Sequence, residues 1–136
     1  AQVDIKYLDK GSNRRAREMA KAASEAGPDS VTAQAIQWEV KPGITGLILA
    51  FTPKMMVCQF KYKKGTGIDT HKHYHEQGSY IVRGSLKYTV ADRDVVMVKG
   101  ASLVVSGNAV HKIKALEDTT EIVTYCPMRW DLINQD

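Results

Sequence analysis

Residues 65–84 read GTGIDTHKHYHEQGSYIVRG, and residues 100–111 read GASLVVSGNAVH. These two stretches hold all four histidines of the chain: His71, His73, His75 and His111. Scattered histidines are usually solvated or structural. A full complement gathered this way points to one bound cation, imidazole being the commonest neutral metal ligand. Side chains alternate along an extended strand, so His71 and His73 point to one face. Gln77 comes four residues after His73, which allows a turn and re-entry on a next strand that Gly84 ends. His111 follows the glycine-containing turn Ser106-Gly107-Asn108 on a distant strand. Two ligands from one strand, one from its hairpin neighbour and one from across a barrel would enclose a cation on three sides. The positions left open for water or substrate are those a catalytic metal requires. His75 has the strand parity of His73 and is the alternative fourth ligand if no turn intervenes. Glu76, the other alternative, has the opposite parity.

Around these stretches, short runs rich in Val, Ile and Tyr recur: Gly46–Phe51, Met55–Tyr62, Ser79–Val82, Leu86–Val90, Asp94–Val98, Ser102–Ser106, His111–Leu116 and Glu121–Cys126. Clusters of Gly, Pro, Asp and Lys separate them. Many short strands at regular spacing predict an all-β sandwich or barrel, and no helical run long enough for a βαβ crossover lies between them. The N-terminal part differs. Residues 14–26, RRAREMAKAASEA, are good helix formers, with Ser12 or Asn13 as N-cap and Gly27-Pro28 as the stop. Its apolar positions Ala16, Met19, Ala20 and Ala23 follow helical spacing but are small, which suits a surface or a partner chain rather than a core. The expected organisation is a helical extension over residues 1–30 and a β-barrel over residues 31–136.

A chain of 136 residues, 43% apolar and 25% charged, is expected to be one globular domain that folds without disulfides. The net charge of +4 is spread along the chain, and the run Lys61-Tyr62-Lys63-Lys64 reads as a solvated strand end rather than a nucleic-acid patch. Cys58 and Cys126 sit in apolar runs and read as buried free thiols. No stretch approaches the roughly 18 apolar residues a membrane helix needs. With no signal peptide read, the cytoplasm is the expected compartment. Ala1 in place of methionine also fits signal cleavage, which would make the protein periplasmic or secreted.

The two histidine stretches resemble the two motifs of the cupin superfamily. The first motif is Gly, five residues, His-x-His, three or four residues, Glu, six residues, Gly. Gly65, His71, His73 and Gly84 stand in that register, with Gln77 at the glutamate position. The second is Gly, five residues, Pro-x-Gly, two residues, His. Gly100 and His111 match it, with Ser106 for the proline and Asn108 for the glycine. The resemblance spans about residues 45 to 128 and implies a single-domain cupin β-barrel of jelly-roll type. It also implies one divalent metal ion (Zn, Mn, Ni or Fe) held by His71, His73, Gln77 and His111. All four donors are neutral, so the cation would keep its +2 charge. That favours polarising a carbonyl or hydroxyl over activating dioxygen.

The C-terminal segment resembles more closely the small single-domain cupins of uronate breakdown. They carry His-x-His, then Glu-Gln with Gln as ligand, and end in Phe-x-Pro-x-Arg-x-Asp. Here His75-Glu76-Gln77 is followed by Tyr125, Pro127, Arg129 and Asp131 in that register. Such relatives use the metal in linearising cyclic unsaturated uronates. The resemblance places a catalytic aspartate two residues before the aromatic, where this chain has Val123. Glu121, two residues further back on the same strand face, is the candidate substitute. Arg129 is a candidate clamp for a substrate carboxylate, against pairing with Asp131 at the surface. Tyr125 and Tyr80 are candidate proton donors, against a packing role, and Trp38 and Trp130 read as packing. The leading expectation is a metal-dependent lyase or isomerase acting on a small oxygenated substrate, such as a carboxylated sugar. A dioxygenase and a non-catalytic ligand-binding or sensor module are the alternatives. The expected partners are a small-molecule substrate and a second copy in a homodimer.

Overall fold

A computed structural model describes residues 4–8, 18 and 34–133 of the chain. Among these residues the strands are β1 (Asp4–Leu8), β2 (Gln34–Lys41), β3 (Ile44–Thr52), β4 (Met55–Tyr62), β5 (Gly67–His71) and β6 (Glu76–Arg83). They continue with β7 (Ser85–Val90), β8 (Arg93–Val98), β9 (Ser102–Val105), β10 (His111–Ala115) and β11 (Thr119–Cys126), and one short helix, α1 (Trp130–Ile133), follows. A seven-stranded sheet runs in the order β1-β2-β3-β4-β11-β6-β9, and a four-stranded sheet in the order β5-β10-β7-β8. All pairings are antiparallel except β1 with β2. This is the all-β two-sheet architecture expected from the strand pattern, in the jelly-roll form that the resemblance implied.

Alternation explains what faces inward. On β4, Met56, Cys58, Phe60 and Tyr62 are buried; on β11, Glu121, Val123 and Tyr125; on β6, Gln77, Ser79 and Ile81; on β10, His111, Ile113 and Ala115. The core continues through Ile36, Ile44, Ile48, Leu86 and Met97, each 1% exposed or less. A buried aliphatic side chain of this size contributes about 1.5–3 kcal/mol. The turn from β6 to β7 needs glycine. Gly84 has φ +95°, and a Cβ there would lie 2.3 Å from the Asp118 carbonyl oxygen.

Eight strands coincide with the predicted runs to within a few residues. Three differ. β2 is an additional strand, and the strand expected to carry both His71 and His73 is β5, which ends at His71. β1 lies inside the stretch read as a helical extension and pairs with β2 of the same chain. The predicted helix over residues 14–26 lies outside the described residues, apart from Glu18, whose backbone is helical. Lys61, Lys63 and Lys64 are exposed around a buried Tyr62, as expected of a solvated strand end. Cys58 is buried, and burial raises its thiol pKa to about 12, whereas Cys126 is only half-buried. Trp38 packs edge-on against Phe60, but Trp130 is 38% exposed because it opens α1 on the outer surface. No helix among the described residues is long and apolar enough to cross a membrane.

Candidate metal centre

β5 and β10 run antiparallel with His71 directly opposite His111, and their ring centroids are 4.1 Å apart. β5 ends at His71, so His73 does not share its strand as alternation had suggested. The chain leaves the sheet at Lys72 and bends at Tyr74–His75 before β6. The bend still returns the His73 ring to the pair, with its centroid 5.0 Å from His111 and 5.7 Å from His71. It is tied to the turn that precedes His111, where the Asn108 N–H donates to the His73 carbonyl at 2.7 Å. Gly107 makes the approach possible, since a Cβ there would lie 2.4 Å from the Tyr74 carbonyl oxygen. Asn108 stands where the family motif has glycine, and its φ is +66°, the left-handed region that asparagine tolerates.

Each of the three rings is oriented by a backbone carbonyl. Nδ1 of His71 donates to Asp69 at 2.8 Å, that of His73 to His75 at 3.0 Å, and that of His111 to Ala109 at 2.8 Å. This sets the tautomer and leaves Nε2 as the lone-pair atom in all three. Nε2 of His73 and of His111 are buried with no hydrogen-bond partner. One potential ligand atom from each of the three histidines falls in a group spanning no more than 4.8 Å. Burial first, then the Arg129 charge, holds His73 down at about 4; burial also lowers His111. Both are therefore neutral, the ligating form. Buried nitrogen lone pairs that converge without partners fit a metal cation.

Gln77 lies on β6 between Val105 of β9 and Tyr125 of β11. Its Nε2 donates to Ser79 Oγ at 3.2 Å and to Tyr88 Oη at 3.1 Å, leaving Oε1 as the end available to a cation. The alternatives fit less well. The His75 ring lies 5.6 Å from that of His73 but is not among the three whose ligand atoms converge, and it stacks on Tyr74 at 4.0 Å; Glu76 is exposed.

A cavity of about 160 Å³ adjoins the centre, with His71, Gln77, Glu121, Tyr125 and Arg129 in its wall among apolar side chains. Tyr125 meets the His73 ring edge-on at 5.7 Å, and the Arg129 guanidinium lies 5.0 Å from the centre of the Tyr125 ring. Burial pushes the Tyr125 hydroxyl well up, with Arg129 pulling the other way, so it stays protonated at neutral pH. Arg129 lines the cavity and also pairs with Asp131, Nη2 to Oδ2 at 2.5 Å and Nε to Oδ1 at 3.2 Å. The ion pair with Asp131 is therefore present, and it does not take Arg129 out of the cavity wall. Tyr80 is 49% exposed on the outer face of β6 and lies outside the site. Val123 lines the cavity where the uronate cupins have aspartate.

Glu121 is fully buried, and both its oxygens are taken: Tyr62 Oη donates to Oε1 at 2.9 Å and Tyr88 Oη donates to Oε2. Burial raises its pKa, against the pull of the two phenols and Ser79. The partners Ser79, Tyr88 and Tyr62 were missed as site residues. Strand parity already put Ser79 on the face of Gln77. Nothing local announced that Tyr88, from the other sheet, would meet them.

The cupin domain profile matches residues 58–126, half of the chain, and includes every one of these candidate ligands. The chain belongs to the cupin family. Among solved structures, KdgF from a Halomonas species is 30% identical, with a TM-score of 0.68 over 71% of this chain and 91% of that one. An RmlC-like cupin from Shewanella frigidimarina is 24% identical, with a TM-score of 0.67 over 78% and 91% of the two chains. Oxalate decarboxylase from Bacillus subtilis, studied for its Mn(II) centres, is 18% identical, with a TM-score of 0.57 over 62% of this cupin and 26% of that chain. A search of curated proteins finds no match.

Proposed function

We propose that this cupin is a metal-dependent lyase or isomerase acting on a small carboxylated, oxygenated substrate such as a uronate. The observation that carries it is the convergence of three oriented imidazoles, one of which, His71, lines a small cavity together with Gln77, Tyr125 and Arg129. A divalent cation held by His71, His73, His111 and Gln77 would supply Lewis-acid polarisation of a substrate carbonyl or hydroxyl. Arg129 binds the substrate carboxylate with the guanidinium hydrogens that Asp131 leaves unused. Tyr125 Oη, beside Arg129, gives a proton to the reacting oxygen or carbon. The apolar wall of Ile68, Ile113, Val123 and Leu132 excludes water from the reacting atoms. Taking a water's share as about 30 Å³, the cavity holds roughly five waters, which suits a small acid and not a polymer. The resemblance of the Tyr125–Asp131 segment to uronate-linearising cupins, together with the similarity to KdgF, supports this substrate class.

The test is an anaerobic assay of unsaturated uronates with Zn(II)-loaded protein. Turnover should proceed without oxygen. Arg129→Ala should mainly raise KM, as the loss of a uniform binding contact does. Tyr125→Phe should lower kcat, typically by about 10²–10⁴-fold for a proton-transferring group. Turnover found only in a parallel aerobic assay of Fe(II)-loaded protein, with oxygen consumed in step with product, would replace this reading with a dioxygenase. A second reading has its own support: Val123 cannot move a proton, and Glu121 has both oxygens occupied. A ligand-binding cupin without catalysis would be shown by uronates that raise Tm and are never turned over.

A further inference from the structure

An amide side chain has one end that binds a cation and one that does not. The carbonyl oxygen offers lone pairs; the NH₂ group offers only protons. The two ends are nearly the same size, so packing alone does not orient Gln77. Hydrogen bonds do. Its nitrogen donates to Ser79 Oγ and Tyr88 Oη, which also lie within hydrogen-bond distance of each other at 2.9 Å. For Tyr88 to receive those protons its own must go elsewhere, and it goes to Glu121 Oε2. Tyr62 closes the far side by donating to Oε1. Glu121 therefore fixes Tyr88 as an acceptor toward Gln77, and the nitrogen end turns to it. The oxygen end is left to face the other way.

We propose that Glu121, acting through Tyr88 and Ser79, is a positioning residue that turns the Gln77 carbonyl oxygen toward the metal cation. This rests on Gln77 being a ligand. A carboxylate at position 77 would need no such device, because its two ends are alike. The chain thus carries an orienting network where the cupin motif has glutamate and this sequence has glutamine.

Co(II) is the probe, added to metal-free protein and read by its visible absorption bands and by titrated affinity. Tyr88→Phe keeps the ring and removes the acceptor. Its Co(II) affinity should fall about 10–100-fold, the usual loss when an outer partner of a ligand is removed. Its bands should move toward those of Gln77→Ala. In the Gln77→Ala background Tyr88→Phe should cost nothing more, because the two changes remove one interaction. Adding Gln77→Glu to Tyr88→Phe should restore affinity, since either oxygen then serves. Melting of the metal-free variants checks the fold, and if Tyr88→Phe does not fold, Ser79→Ala carries the same comparison. Folded Tyr88→Phe or Ser79→Ala protein with unchanged affinity and bands would overturn the orientation while leaving the metal site intact. Unchanged binding by Gln77→Ala would overturn the ligand assignment and the orientation with it.

Discussion

Glu121 concentrates the electrostatics of the interior in one residue. It has no exposure and two phenol donors, and burial raises its pKa above the ordinary carboxylate range. The folded protein therefore holds this proton more tightly than the unfolded chain does. The stability this contributes is fully present below the unfolded carboxyl pKa and is lost as pH rises through the folded value. Glutamine has nearly the same shape and stays neutral, and its amide can still bond both hydroxyls. Metal-free Glu121→Gln should thus match or fall below the native protein near pH 4.5 and exceed it at pH 8. The gain should read as a higher Tm at pH 8 that is absent at pH 4.5. Melting curves at the two pH values check it. A variant less stable than the native protein at pH 8 would show that the phenols favour the ionised carboxylate strongly enough to outweigh its burial.

The elements that build the centre are the bend after β5 and the turn before β10, and they hold each other. Asn108 has φ +66° and anchors the turn to His73 through its N–H. Asn108→Val forces a β-branched side chain into the left-handed region, where an ordinary residue pays about 1–2 kcal/mol. Asn108→Gly has no such penalty. The valine variant should melt several degrees lower and bind Zn(II) more weakly, and the glycine variant should behave as native; thermal melts and Zn(II) titration distinguish them. The same elements show what a sequence discloses. The gathering of His71, His73 and His111 was legible, because imidazoles at fixed spacing are a local signal, and so were the eight strands with dense Val, Ile and Tyr. For β5 the strand at His71 was expected but its extent was not: Gly67-Ile68-Asp69-Thr70-His71 has a single aliphatic side chain, and its pairing with β10 sets where it runs. β2 mixes Gln37 and Glu39 with Ile36 and Trp38, an alternation that shows only once one face is known to be covered. The reading of His71 and His73 as strand partners failed because β10 stops supporting the strand at His71. The Gln77–Tyr88–Glu121 network joins β6 and β11 of one sheet to β7 of the other. Such contacts depend on which strands come to face each other, which no local pattern states.

At the scale of the whole molecule, the apolar core and the metal centre are separable. Ile44, Ile48, Met56, Ile81, Leu86 and Met97 are each 1% exposed or less, and none of them lines the cavity beside the histidines. Their burial does not depend on a cation, so removing metal should leave the barrel folded. Binding nonetheless favours the native state, because the unfolded chain does not assemble His71, His73 and His111 within reach of one another. At free metal one hundred times Kd the linkage is about 2.7 kcal/mol, or roughly 10 °C in Tm for a domain of this size. Protein stripped with a chelator should keep its β-sheet circular dichroism and melt about that much lower, and Zn(II) should restore the difference. In His111→Ala one buried ligand is gone while the pairing of β10 with β5 and β7 remains, so this variant should fold and show little or no Zn(II)-dependent gain. Unfolding on chelation would mean that the cation is part of the core. A full Zn(II) shift in His111→Ala would place the ligands elsewhere, since no set that includes the ring facing His71 could survive its loss.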